Sequence, residues 1–247
     1  MLSKSIIVLS SIILVATTTL AQSEKPGLPK ILPRDLEIDL ALSSAPEHLR
    51  ADASIYLLGE QGYELTKKGT NGFTCLVIRG PEFTPPGWEN HISGWCFDEE
   101  SMRTVGKVML ERAKLYRQGL SYEEVRNKIN AGFASGEYVA PSKIGIIYML
   151  SPVNKVPDHR TGKIFDYVPH VMYCSPNIIN DDIGVPEEVH TGDQNYVWSG
   201  LPFLPTTGPH GFIVQPLGEK ECAKIVAEYW KMIVKVREYV DLEIKFE

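Results

Sequence analysis

The sequence predicts an α+β fold: a mainly antiparallel sheet with a helical hairpin packed on it and a helix at the C-terminal end. Three observations carry this. Short apolar runs separated by Gly and Asn fill residues 54–97, two capped helical segments follow within 101–133, and short apolar runs then return before an amphipathic stretch at 219–239. Strands, then helices, then strands argue for helices segregated from an antiparallel sheet rather than for alternating βαβ units.

Residues 35–44 read as a short helix with Leu36 and Leu40 apolar, ended by Pro46. Ser54-Ile-Tyr-Leu-Leu58 is strand-like, Gly59 to Gly62 turns, and Tyr63 to Lys67 returns. Asn71-Gly72 is a strong hairpin signal, so the next apolar strand, Phe73 to Ile78, is expected to pair back on its predecessor. Pro81, Pro85, Pro86 and Gly87 mark a loop, and Gly94 to Phe97 forms another strand. Asp98 can cap a helix over about 101–118, on which Val105, Val108, Met109, Arg112, Leu115 and Tyr116 approximate one face, with Gly119 closing it. Ser121-Tyr-Glu-Glu124 is a capping box for the second helix of the hairpin. Ile144 to Leu150 is a strand, Asp158 to Gly162 a turn, and 164–174 contains a further strand. Ser175 to Pro209 reads as one long loop, and His210 to Gln215 as the last strand. On the final helix Cys222, Val226, Tyr229, Trp230, Ile233 and Val236 recur at helical spacing, and Trp230 is expected to help dock it.

Composition narrows function. The 247 residues are 43% hydrophobic and 23% charged, which suits a folded domain rather than a disordered chain. A net charge of −6 lacks the basic footprint of a nucleic-acid binder. Residues 1–21 resemble a secretory signal peptide: Lys4, an apolar run from Ile6 to Ala16, and small residues at Thr19 and Ala21 before Gln22. That run is too short to span a bilayer, which takes about 20 residues. The reading is therefore a cleaved leader (1–21), a Pro-rich extended lead-in (22–34), one α+β domain (35–216) and a C-terminal helical segment (217–247) docked on it. The mature chain is expected in the periplasm or the medium, with no membrane association after cleavage.

Four cysteines face an oxidising compartment, and three pairings are possible. Cys75 and Cys96 lie in neighbouring strand-like segments joined by a short tether, which favours their bridge; Cys174 with Cys222 is the alternative. No Cys-x-x-Cys, phosphate-binding loop, Gly-x-Ser-x-Gly elbow or His-Glu-x-x-His is present. No motif names a cofactor.

The remaining candidates are histidines and tryptophans. His170 and His210 each follow a proline and open an apolar strand. If their strands pair, both imidazoles reach the sheet rim, where Glu187, Glu188 or His190 on the long loop can join them in a metal or acid/base site. The plainer reading is two half-buried imidazoles bonded to backbone. His170 and Cys174 are four strand residues apart, about 13 Å, and cannot act as a nucleophile pair. Trp88, His91 and Trp95, near the Pro-rich loop, are candidate ligand contacts.

Gly69-Thr-Asn-Gly-Phe-Thr-Cys-Leu-Val77, Ala131-Gly-Phe-Ala-Ser-Gly-Glu137 and Pro169-His-Val-Met-Tyr173 resemble stretches in a group of uncharacterised exported bacterial proteins. The resemblance covers roughly Leu40 to Val214. It implies bacterial origin, export, and a Cys75/Cys96 pair common to the group, and it brings no activity and no catalytic residue. The sequence thus points to an exported protein binding a small molecule or protein partner, with a metal-dependent or acid/base hydrolase centred on His170 and His210 as the alternative.

Overall fold

The computed structural model describes residues 27–80, 91–158 and 160–244. The expected leader, Trp88 with the Pro-rich loop around it, and His159 lie outside the described residues.

Among the described residues ten strands form one sheet: β1 (Ser54–Gly59), β2 (Gly62–Lys67), β3 (Thr74–Arg79), β4 (Ile92–Phe97), β5 (Ile146–Met149), β6 (Asn154–Pro157), β7 (Ile164–Asp166), β8 (His170–Cys174), β9 (Phe203–Thr206) and β10 (Phe212–Pro216). The order is β2-β1-β3-β4-β5-β8-β10-β9, with β6 pairing β4 and β7 pairing β6. The one parallel contact joins β1 to β3. The helices are α1 (Arg34–Ser43), α2 (Glu47–Arg50), α3 (Glu99–Ser101), α4 (Lys107–Arg117), α5 (Tyr122–Ser135), α6 (Gln194–Trp198) and α7 (Glu219–Val236). A π-helical turn, Met102–Gly106, makes α3 and α4 continuous. The fold is α+β, with a mostly antiparallel sheet and a C-terminal helix.

β3 and β4 are buried at all six positions each, because both faces of the sheet are covered there. Alternation sends Leu76, Ile78, Trp95 and Phe97 to one face, where Val105 and Met109 pack on them. It sends Cys75, Val77, Ile92 and Cys96 to the other, under α1 and α7. Cys75 and Cys96 stand directly opposite each other in the ladder and form the disulfide. Cys174 and Cys222 are free and buried. α1 lies so close to β4 that a Cβ at Gly94 would sit 2.8 Å from the Leu40 carbonyl oxygen. The second helix of the hairpin, α5, packs on α4 through Val125 and Ile129 against Val108 and Leu115.

Capping chemistry sets the helix boundaries as expected. The Asp98 carboxylate accepts from Ser101 N–H at 2.8 Å, and the Ser121/Glu124 capping box is complete. The expectation for Asn71-Gly72 is corrected. β3 does not fold back on β2; it crosses to the other side of β1. The connecting segment is held beneath the start of β1, with Thr70 N–H donating to the Asp52 carbonyl at 2.8 Å and Asn71 Nδ2 donating to that of Leu49 at 2.8 Å. Gly69 is required there, since a Cβ would lie 2.2 Å from the Asp52 carbonyl oxygen. The stretch expected as one long loop also contains α6 and the edge strand β9, which runs antiparallel to β10.

The docking of α7 differs in its anchor. Cys222, Val226, Ile233 and Val236 are buried, whereas Trp230 remains 40% exposed, with the Arg237 guanidinium 5.6 Å from its ring centroid. Ile233→Ala should therefore destabilise by about 2–5 kcal/mol. Trp230→Ala should lose less than about 1 kcal/mol, the scale of an exposed cation–π contact. Urea titrations of the two variants check the ranking.

Glu37 on α1 is 1% exposed and accepts from the Leu58 N–H at 2.8 Å. Burial pushes its carboxyl up to about 7 from 4.5, against the downward pull of the Leu58 N–H and the Arg79 and Arg117 charges. The native state thus keeps this proton to higher pH than the unfolded chain, so Glu37 lowers stability as pH rises from 4.5 to about 7. Glu37→Gln should be more stable than the parent at pH 8, by up to about 3 kcal/mol, and lose that advantage near pH 4. Denaturant midpoints at the two pH values test it.

Candidate functional site

The sheet face that carries Trp95 and Phe97 holds two neighbouring hollows, and Phe212 of β10 is a wall of both. The inner cavity, about 50 Å³, lies between this face and the 191–205 segment. It holds about three waters at most. The outer cleft, about 340 Å³, lies where α4 and α5 approach the turn between β9 and β10.

Strand alternation points His170 inward beside Met172 and Cys174, as the sequence pattern implies. The His170 Nδ1–H donates to the Val168 carbonyl at 2.7 Å, which makes Nε2 the acceptor nitrogen of a neutral ring that lines the cavity. Burial lowers the imidazole to about 4 from 6.5, so it is neutral at pH 7. The Tyr167 ring meets it edge-on at 4.9 Å. The Tyr167 hydroxyl is buried without a hydrogen-bond partner among the described residues, and burial raises its pKa well above 10.0. A neutral donor and a neutral acceptor thus border a mostly apolar space. His91 and Trp95 line the same cavity. They are held through Ser93: its Oγ accepts from Trp95 Nε1–H at 2.7 Å and lies 3.0 Å from His91 Nε2. Ser93 is 0% exposed, so this Ser–His contact is structural and not a nucleophile with its base.

His210 stands elsewhere. β8 and β10 are antiparallel, and their register sets Pro216 opposite His170 and Phe212 opposite Cys174. The two strand starts are therefore at opposite ends of the pair, about 13 Å apart along it, and His210 lies outside β10, in the turn two residues before its start. His210 lines the outer cleft, packs edge-on against Phe133 at 4.9 Å, and holds Nε2 3.0 Å from the Val139 carbonyl oxygen. Burial lowers its pKa from 6.5, and the Arg112 charge adds to that, against the Val139 contact.

His190 is a third, separate place. Its Nδ1 is 2.9 Å from Asp158 Oδ2, a carboxylate that also accepts from the Thr161 hydroxyl at 2.5 Å. Arg160 donates to the Glu188 carbonyl at 2.7 Å, so Glu187 and Glu188 contribute backbone to this junction. The junction pins the β6–β7 turn to the 187–192 segment. The structure therefore brings together His170, His91 and Trp95, and does not bring together His170, His190 and His210. Among the described residues no three His, Cys, Asp or Glu side chains are grouped to hold a metal ion.

Two contributors were not singled out from the sequence. Tyr167 gave no signal, standing beside a strand in a Tyr-Val-Pro run. Arg112 did, as the one charge within an otherwise apolar helix face. Val105, Val108, Met109 and Arg112, at i, i+3, i+4 and i+7, line the outer cleft together.

Comparison with protein-family models, with curated proteins and with solved structures returned no match.

A neutral buried imidazole makes an acid-stability prediction. Between pH 6.5 and about 4 the unfolded chain binds a proton at His170 that the native state refuses. Stability from this residue is complete above 6.5 and is lost as pH falls toward 4. His170→Gln should therefore show a shallower loss of melting temperature than the parent between pH 7 and pH 4, measured by differential scanning calorimetry.

Proposed function

We propose that this chain is an exported protein that binds a small organic ligand, and that the ligand occupies the outer cleft. The observation that carries this reading is the cleft's volume of about 340 Å³. It falls within the range of about 300–1,000 Å³ typical of small-molecule sites, and its lining is apolar with a few polar groups. The inner cavity is too small for an organic ligand beyond a few atoms and is a mostly apolar void behind the Phe212 wall.

Export is supported by the leader-like first 21 residues and by the Cys75–Cys96 disulfide, which belongs to oxidising compartments. Among the described residues no helix is long and apolar enough to cross a membrane. We place the mature protein in the periplasm or the medium of a bacterium, consistent with the exported group its sequence resembles. A small molecule is preferred over nucleic acid by the net charge of −6. Binding is preferred over histidine-centred hydrolysis because His170 and His210 sit in different hollows at opposite ends of their strands.

Thr206 lines the cleft on the edge strand β9, and Thr206→Trp would fill the space from its rim. Ligand-detected NMR with a library of small aromatic and aliphatic compounds should find binders of the parent that lose binding to this variant at unchanged melting temperature. Hits that bind parent and variant equally would place the site elsewhere, and a library with no hit would overturn the ligand-binding reading.

A further inference from the structure

We infer that the inner cavity is a site for a soft monovalent metal ion, copper(I), held by the imidazole of His170 and the thioethers of Met149 and Met172. The site is separate from the outer cleft and does not depend on what that cleft binds.

Strand register sets the three donors on one patch of the sheet. Met149 of β5 stands directly opposite His170 of β8, and the Cβ atoms of such a pair lie about 5 Å apart. Met172 follows His170 by two residues on the same face, about 7 Å along the strand, and is diagonal to Met149. All three are buried and line the cavity. An unbranched thioether side chain adapts its course, so its sulfur can reach an ion above the centre of this triangle. The His170 ring is held as a ligand ring is held. Metal-binding imidazoles give their other N–H to a carbonyl or carboxylate, which fixes the tautomer and the ring orientation. Here Nδ1–H goes to the Val168 carbonyl at 2.7 Å, and Nε2, which carries the lone pair, has no hydrogen-bond partner among the described residues. Burial also keeps the ring neutral at pH 7, the form that binds metals.

Size and lining select the ion. A space of about 50 Å³ admits one ion but no organic molecule beyond a few atoms. Among the described lining residues there is no Asp, Glu or Cys, so no anion is present to offset a second positive charge, and an uncompensated buried charge is costly. Calcium and magnesium require sets of oxygen ligands that this lining does not supply. Zinc sites are built from thiolates, imidazoles and carboxylates, whereas two of the three donors here are neutral thioethers. Thioethers are soft ligands and select copper(I). Trp95, Phe203 and Phe212 line the cavity beside them, and aromatic rings accommodate a cation better than aliphatic walls do. The set does not count His91, whose Nε2 lies 3.0 Å from Ser93 Oγ. The absence of a His, Cys, Asp or Glu triad among the described residues is compatible with it, since two of its donors are methionines. The ion enters past the cover formed by irregular chain and α6, the kind of cover that opens locally at low cost.

The test titrates the full mature chain, its disulfide intact and its methionine methyls labelled with carbon-13, with the acetonitrile complex of copper(I) under nitrogen and without reductant. One equivalent should shift the methyl signals of Met149 and Met172 and leave those of Met102, Met109 and Met232 in place. Affinity is read by competition with bicinchoninate. Loss of an outer-shell partner alone costs about 10–100-fold in metal affinity, so His170→Gln and Met172→Leu should each weaken copper(I) by at least about tenfold. Cys174→Ala and Cys222→Ala, which remove the two free thiols, should change nothing. Excess zinc(II) should leave the copper in place, and displacement would overturn the choice of ion. A parent that binds no copper(I), methyl shifts elsewhere than at Met149 and Met172, or binding lost with either cysteine would overturn the site. Because the methyl signals are read on the parent, they decide the matter even if a variant does not fold. Ligand binding in the outer cleft is measured separately, so either reading can fail without the other.

Discussion

The structure depends on burying β3 and β4 from both sides at once. A strand covered on one face can be half polar, but these two have no solvent face, and their twelve positions are buried throughout. Helices must therefore lie on each side of them, and the rest of the chain supplies those helices from distant parts of the sequence. The first described helix and the last share one face; the central hairpin covers the other. The Cys75–Cys96 bridge ties the two strands together on the α1/α7 face. Closing a loop of this size removes about 3 kcal/mol of chain entropy from the unfolded state.

The two hollows follow from the same arrangement. On the face under α4, the sheet continues past β4 into β5, β8 and β10, where the helical hairpin meets it only at the rim around Phe212 and His210. The 175–202 segment covers that extension through Val185, Val189 and Val197, and cover made of irregular chain, a 3₁₀ turn and one short helix does not match a sheet surface as closely as a long helix does. The inner cavity lies beneath this segment, and the outer cleft lies at its border with α4. Phe212, set on β10 between the two covers and meeting Trp95 edge-on at 6.3 Å, keeps the spaces apart.

The sequence was most readable where local chemistry decides the outcome. Caps at Asp98 and Ser121 mark real helix starts, and period-2 alternation puts His170, Met172 and Cys174 on one buried face. It was least readable where pairing partners decide. An Asn-Gly pair is a turn in either case, but only the tertiary arrangement sends β3 across β1 instead of back along β2. Likewise, two histidines opening two strands look equivalent in one dimension; antiparallel pairing then sends them to opposite rims. The disulfide was legible because its cysteines are close in sequence as well as in space. The cleft was half legible: the face carrying Val105 through Arg112 was visible, but the opposing β9–β10 turn was hidden in a stretch whose only strand contains a proline. Trp230 shows a further limit of pattern reading, since apolar periodicity includes a tryptophan whose ring stays at the surface under an arginine.

The proline in β9 has a consequence of its own. The main run of the sheet ends at β2 on one side and β9 on the other, and each terminal strand offers unpaired backbone to any extended chain nearby. β9 reads Phe-Leu-Pro-Thr, so Pro205 removes one donor from a strand only four residues long. β2 carries Glu64 and Lys67 among its six residues. A newly made chain must complete its sheet among many other partly folded chains. Short, charged or proline-bearing borders let the sheet stop growing when its own strands are used up, so that self-association through the sheet edge is discouraged.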